Sequence, residues 1–203
     1  MKHELARLAG SKAEAERRAA ASAPWFAEAA WQEGLIDVAL ADLDSPIGRL
    51  TVAVTPRGLA RIVFESEDLD EELERLAHVL SPRVLVAARA ADDVRRELDE
   101  YFGGARRRFD LKLDRRLMTP FAREVLAATA RVGFGHLATY GEIASRIGRP
   151  KAARAVGAAL GSNPIPIVVP CHRVVGAGGR LTGYAGGLPR KEALLRLEGS
   201  LAV

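Results

Sequence analysis

The only cysteine of the 203-residue chain, Cys171, stands between Pro170 and His172 in "NPIPIVVPCHRVV", a stretch that opens at Asn163. A thiolate is a soft, strong nucleophile, and a thiol must lose its proton to become one. It suits attack on an alkyl carbon, and His172 is the natural base. The run Ile167–Val169 reads as a buried strand stopped by Pro170, which presents the thiol at its end. Side chains of consecutive residues in an extended segment point to opposite sides. The expected path from thiol to imidazole therefore runs through a water molecule. One thiol excludes an intrachain disulfide and a multi-cysteine zinc site. The four histidines, His3, His78, His136 and His172, show no metal-ligand spacing. No metal and no cofactor are expected.

The elements that must hold this thiol fall into two halves of opposite charge. Residues 115–203 carry 13 Lys+Arg against 4 Asp+Glu, whereas residues 1–114 carry 17 against 22. A basic half joined to an acidic one suggests that the basic half meets a polyanion. No apolar run approaches the roughly 20 residues that span a bilayer. The opening "MKHELARLAGSKAEAERR" lacks the apolar core of a secretory signal, so a soluble, cytoplasmic protein without membrane contact is expected.

Residues 1–35 read as a helical extension broken at Pro24, with Trp25, Phe26 and Trp31 expected to pack against the rest. Residues 36–114 read as a small α+β domain. "IDVALADL", "RLTVAVT" and "LARIVFE", separated by turn residues, predict an antiparallel meander. "DLDEELERLAHVL" and "DDVRRELDEYF" predict two helices, the second stopping at Gly103–Gly104. Residues 115–203 read as a mostly helical domain. Thr119–Pro120 opens a helix expected to end near Gly133. Thr139 and Glu142 form a capping box for "TYGEIASRIG". The next helix is expected to start at Pro150 and run to Asn163, giving a helix-turn-helix pair. A last helix lies between Pro189 and Gly199.

The second helix of that pair is smooth, with Ala152, Ala153, Ala155, Gly157, Ala158 and Ala159 and only Lys151 and Arg154 as long polar groups. Such a surface suits contact with the DNA backbone better than readout of base edges. Tyr140 opens the preceding helix, where free N–H groups attract phosphate.

"PCHRV", with "NPIPIVV" before it and "GYAGGLPRKEALLRLEG" after it, resembles the O6-alkylguanine-DNA alkyltransferases, the methylated-DNA–protein-cysteine methyltransferases. The resemblance is strong over about residues 115–199. It extends to "DSPIGRL" and "ELDEYFGG" in 37–114 and is absent from 1–35. It implies a ribonuclease-H-like N-terminal α+β domain followed by a winged-helix-like DNA-binding domain. The implied activity is irreversible, single-turnover transfer of the alkyl group from O6-alkylguanine, and from O4-alkylthymine, to Cys171.

The resemblance also assigns roles. Cys171, a water, His172 and Glu198 would form the proton relay, with Asn163 tying the turn. Tyr140 would push the 3′ phosphate and Arg154 would fill the place of the flipped base, while Gly141, Arg149, Lys151 and Ala177 contact the strand. Val174, Gly183, Tyr184, Ala185 and Gly186 would line the base pocket. Ala185 stands where several members carry a serine, and no N-terminal zinc cysteines are present. The implied partner is double-stranded alkylated DNA of any sequence, met by a monomer.

Other classes make different demands. A sequence-specific regulator needs base-reading side chains on the second helix, and a cysteine hydrolase needs a histidine in direct contact with the thiol. A non-catalytic lesion-recognition protein would have no use for the cysteine.

Overall fold

The computed structural model describes residues 25–201. Residues 1–24 of the expected extension over 1–35, with its break at Pro24, lie outside them. Residues 25–32 form α1. There follow β1 Val38–Leu43, β2 Leu50–Thr55, β3 Gly58–Phe64, α2 Leu69–Val79, β4 Val84–Val86 and α3 Asp92–Phe102. The second half holds α4 Pro120–Thr129, β5 Ala138–Thr139, α5 Tyr140–Arg146, α6 Ala153–Gly161, β6 Val174–Val175 and α7 Leu188–Leu197.

The sheet order is β3-β2-β1-β4. β1, β2 and β3 form the expected antiparallel meander, but β4 adds to the other edge of β1 in parallel. Three residues are too few to show a period, which hid this strand in the sequence. Alternate side chains of β1 go to opposite faces. Val38 and Leu40 pack with Leu76 of α2, while Ala41 and Leu43 join the main core with Val94, Leu98 and Tyr101 of α3. That core runs on without a break into Val125, Leu126, Ile143, Val156, Leu160 and Leu194.

β3 is the seam between the halves. The chain leaving the first half passes along its start, where Leu59 N–H donates to the Lys112 carbonyl at 2.9 Å and Asp114 N–H to the Leu59 carbonyl at 2.8 Å. Gly58, at φ +120°, allows this approach, since a Cβ there would fall 2.1 Å from the Lys112 carbonyl oxygen. Further along, Ile62 N–H donates to the Pro164 carbonyl at 2.9 Å, joining the sheet to the cysteine-bearing segment.

Three expectations are corrected. Trp25 and Phe26 are 74% and 64% exposed, and only Trp31 packs, against Ala27, Ala39 and Ala87. α4 ends at Thr129 rather than near Gly133, because the next N–H groups turn to carbonyls three residues back, Arg131 to Ala128 at 3.3 Å and Val132 to Thr129 at 2.9 Å, which breaks the α-helical ladder. α6 begins at Ala153 rather than Pro150, after a turn closed by Ala152 N–H on the Arg149 carbonyl at 2.9 Å. The capping box of α5 forms as expected: Glu142 N–H donates to Thr139 Oγ1 at 3.1 Å and Thr139 N–H to Glu142 Oε2 at 2.6 Å.

Candidate active site

The segment before Cys171 is a turn, not the expected strand. Pro164 and Pro166 lack the N–H groups that a ladder needs. Asn163 organises the turn instead: its Oδ1 accepts from Ile165 N–H at 3.0 Å, and its Nδ2 donates to the Val169 carbonyl at 2.9 Å. Ile167 is held at φ +71°, a conformation β-branched residues rarely adopt, with its side chain fully buried. Cys171–Arg173 then form one turn of 3-10 helix, so the alternation assumed for an extended segment does not apply to Cys171 and His172.

The turn brings Asn163, Cys171, His172 and Glu198 together. Asn163 Nδ2 lies 3.1 Å from Cys171 Sγ, and His172 Nε2 lies 2.9 Å from Glu198 Oε1. His172 Nδ1 is buried and has no protein partner. With Nε2–H on Glu198, Nδ1 is the free lone pair of a base. Burial disfavours the imidazolium and lowers the His172 pKa. Burial also pushes the Cys171 thiol up to about 11, opposed by the Asn163 hydrogen bond and the charge of Lys191. The resting pair is therefore thiol and neutral imidazole, and a thiolate forms only as the proton leaves.

Glu198 caps the C-terminus of α7, where the helix dipole disfavours a carboxylate. Its donors more than offset this. Arg173 Nε reaches Oε2 at 2.8 Å and Nη2 reaches Oε1 at 2.9 Å, while the Tyr101 hydroxyl donates to Oε1 at 2.6 Å. Burial opposes ionisation, yet the hydrogen bonds from His172 and Arg173 hold Glu198 down to about 2.

The other expected site residues are placed around this turn. β5 pairs in parallel with β6, Ala138 opposite Val174 and Thr139 opposite Val175, so the chain leaves the thiol turn alongside the start of α5. Tyr140 opens α5, packs on Gly157 of α6, and its hydroxyl shares a hydrogen bond of 2.9 Å with Thr182 Oγ1. Gly141 follows it, half-buried. Lys151 and Arg154 are exposed at the N-terminal side of α6 and Ala177 is exposed after β6. Arg149 is engaged rather than free: it pairs with Glu124 at 3.0 Å and lies over the Phe121 ring at 5.2 Å.

The residues expected to line a base pocket differ in exposure. Val174 is fully buried and offers its carbonyl to Lys191 Nζ at 2.6 Å. Gly183 and Ala185 are exposed. The Tyr184 hydroxyl is buried without a partner, and burial raises its pKa well above the usual phenol range. Gly186 packs on Phe64 of β3, where a Cβ would meet ring carbon Cε2 at 2.8 Å. A cleft of about 760 Å³ beside this loop is lined by Ile47, Gly48, Glu65, Gly186 and Arg190, joining both halves of the chain.

The site also draws in Tyr101, Arg173, Lys191 and Thr182, which sequence reasoning missed. Lys191 leaves a signal: it shares the apolar face of α7 with Leu194 and Leu195, an unusual place for a lysine without acceptors. Among the described residues no group of His, Cys, Asp and Glu could hold a metal ion, and no helix is long and apolar enough to cross a membrane.

The family model of the 6-O-methylguanine DNA methyltransferase ribonuclease-like domain matches residues 39–115, and that of the DNA-binding domain matches 120–200. A methylated-DNA–protein-cysteine methyltransferase of Mycobacterium tuberculosis is 45% identical over 160 residues, covering 79% of this chain and 92% of that protein. The crystal structure of the M. tuberculosis O6-methylguanine methyltransferase aligns with a TM-score of 0.70 at 42% identity, over 82% of this chain and 95% of that one. A structure of M. tuberculosis OGT in complex with DNA aligns at 0.71 and 41% identity, over 80% and 94%. The chain belongs to the 6-O-methylguanine DNA methyltransferase family.

Proposed function

We propose that this protein repairs alkylated DNA by moving the alkyl group from O6-alkylguanine, and from O4-alkylthymine, to Cys171. The chain is a methylated-DNA–protein-cysteine methyltransferase, as are relatives that match most of its length. The observation that carries the chemistry is the polarised imidazole: His172 gives Nε2–H to Glu198 and keeps a buried, unpartnered Nδ1 on the turn that bears the thiol.

The thiol proton passes through a water to Nδ1, and Glu198 stabilises the imidazolium that results. The thiolate attacks the alkyl carbon in line, the C–S bond forming as the C–O bond breaks. The Asn163 amide beside Sγ steadies the developing thiolate. The leaving guanine takes a proton, for which the Tyr184 hydroxyl is one source. The product is a thioether, and no second cysteine exists in the sequence to resolve it. The reaction therefore runs once per chain.

Residues 36–114 and 115–203 act as two domains, the second carrying the DNA face. Its balance of 13 basic to 4 acidic residues suits a polyanion, and the smooth α6 suits backbone contacts that tolerate any sequence. Tyr140 is positioned for the phosphate that must turn as the base leaves the stack. Arg154, exposed near the start of α6, fills the gap. Lys151, Gly141, Arg149 and Ala177 follow the strand. Flipping costs a few kcal/mol, least for a damaged base, and so contributes selectivity. Val174, Gly183, Tyr184, Ala185 and Gly186 surround the extruded ring, with the alkyl-facing position left small by Ala185. The protein works as a cytoplasmic monomer on double-stranded DNA. A purely lesion-binding role leaves the buried relay behind Cys171 without a purpose.

Incubation with a duplex radiolabelled at one O6-methyl group tests this. The label should move to the protein and stay through denaturation, and Cys171→Ala should bind the duplex without taking it. Label that remains on DNA bound by the wild-type protein would leave lesion recognition alone.

A further inference from the structure

Tyr101 lies on α3, in the half of the chain that carries no other part of the relay, and it is fully buried. Its ring is packed by Phe102 at 5.3 Å, Phe109 at 5.2 Å and Phe134 at 6.2 Å between centroids, which fixes the direction of the hydroxyl. That hydroxyl donates to Glu198 Oε1 at 2.6 Å. The same oxygen faces His172 Nε2 at 2.9 Å and Arg173 Nη2 at 2.9 Å. One carboxylate oxygen thus serves three donors, and one of them comes from the other domain.

Donors compete for the charge of an acceptor. A phenol that donates strongly to Oε1 leaves that oxygen a weaker acceptor for Nε2–H, and a weaker acceptor stabilises the imidazolium less. Burial and the Glu198 charge raise the Tyr101 pKa, so the phenol keeps its proton and remains a donor throughout the reaction. The groups acting on His172 are Glu198 and Lys191 from α7 and its end, Arg173 and Cys171 from its own turn, Tyr184 from the loop, and Tyr101 through Glu198. Of these, Tyr101 alone comes from the first half of the chain.

We propose that Tyr101 is a positioning residue of the proton relay: by sharing Glu198 Oε1 with His172 it holds the imidazole neutral, with Nδ1 open to the thiol proton. No bond to Tyr101 forms or breaks. The thiol proton goes to Nδ1, Nε2–H stays on Glu198, and the phenol O–H stays on Oε1. The proposal rests on the relay described above, and it makes the N-terminal domain part of the chemistry.

The test compares Tyr101→Phe, which removes the donor, with 3-fluorotyrosine at position 101, which is a stronger donor in the same place. Single-turnover methyl transfer from a saturating O6-methylguanine duplex is followed against pH, with duplex affinity and the methyl content of Cys171 measured alongside. Below the His172 pKa the base is already protonated and the rate falls. Tyr101→Phe should move that acid limb up by roughly half a pH unit and the fluorinated residue should move it down, with affinity unchanged. A merely structural role would slow both variants and leave the limb in place. Limbs that stay put, or move the same way, overturn the assignment of Tyr101 while methyl on wild-type Cys171 still upholds the relay. Absence of that methyl overturns both.

Discussion

The cysteine turn and the helix pair α5–α6 adjoin each other, but they are built in opposite ways. The turn is buried and closed by polar bonds: Asn163 satisfies three partners, Glu198 three side chains, and Lys191 two carbonyls. The helix pair keeps its interior face for Ile143, Ala144, Val156 and Leu160 and leaves Lys151 and Arg154 in solvent. Chemistry needs atoms fixed to a fraction of an ångström, so its residues are held from several sides. Backbone contact needs charge and closeness, so its residues are small or stand free in solvent.

Substitutions in the turn should therefore act on rate and fold, and those on the helix pair on affinity. The largest expected effect is that of Cys171→Ala, which should abolish alkyl uptake and leave affinity for the damaged duplex intact; residual uptake at another residue would break the contrast. Glu198→Gln sets an amide against Arg173 and loosens His172. It should slow transfer by about 10²-fold or more, measured in single turnover, and cost about 3–5 kcal/mol in urea unfolding as a broken buried pair.

Acid should also weaken the turn. His172 has a folded-state pKa below its 6.5 reference value, and Glu198 is held to about 2 against a reference of 4.5. Both groups are depressed, so their stability is present above the unfolded values and is lost as pH falls through the folded ones. Unfolding free energy should drop below pH 6.5 and again between 4.5 and about 2. Glu198→Gln should flatten the second drop, as denaturant titrations at several pH values would show.

On the helix pair, Lys151→Ala should weaken duplex binding about equally for all sequences and lower the salt slope by roughly 0.9 for each phosphate that the lysine neutralises. An unchanged slope would remove Lys151 from the DNA face. The smallest effect is expected of Thr182→Val, which removes the hydroxyl partner of Tyr140 at a cost of about 1 kcal/mol and leaves the turn untouched.

The same contrast explains what the sequence disclosed. Cys171, His172 and Asn163 lie close together along the chain, whereas Glu198 is marked only by a flanking motif that resembles a family; the geometry joins all four. The cap of α5 is local, and Thr139 and Glu142 reveal it. The strand expected at Ile167–Val169 fails because a side chain, Asn163, takes over the backbone bonds that apolar patterning assigns to a ladder. Tyr101 and Arg173 are invisible for another reason. Their partner Glu198 is 97 and 25 residues away, and no periodic signal marks a buried polar contact between residues so far apart in the sequence. β4 escapes through shortness, and the exposed Trp25 and Phe26 show that aromatic type alone does not predict packing.

The most direct test of the central claim is intact-mass spectrometry of the protein after incubation with excess duplex carrying one O6-methylguanine, followed by peptide mapping. The account predicts the mass of one added methyl group, on Cys171, that does not increase with time or with further duplex. Repaired duplex in excess over protein, with Cys171 unmodified, would contradict it by showing a thiol that is regenerated.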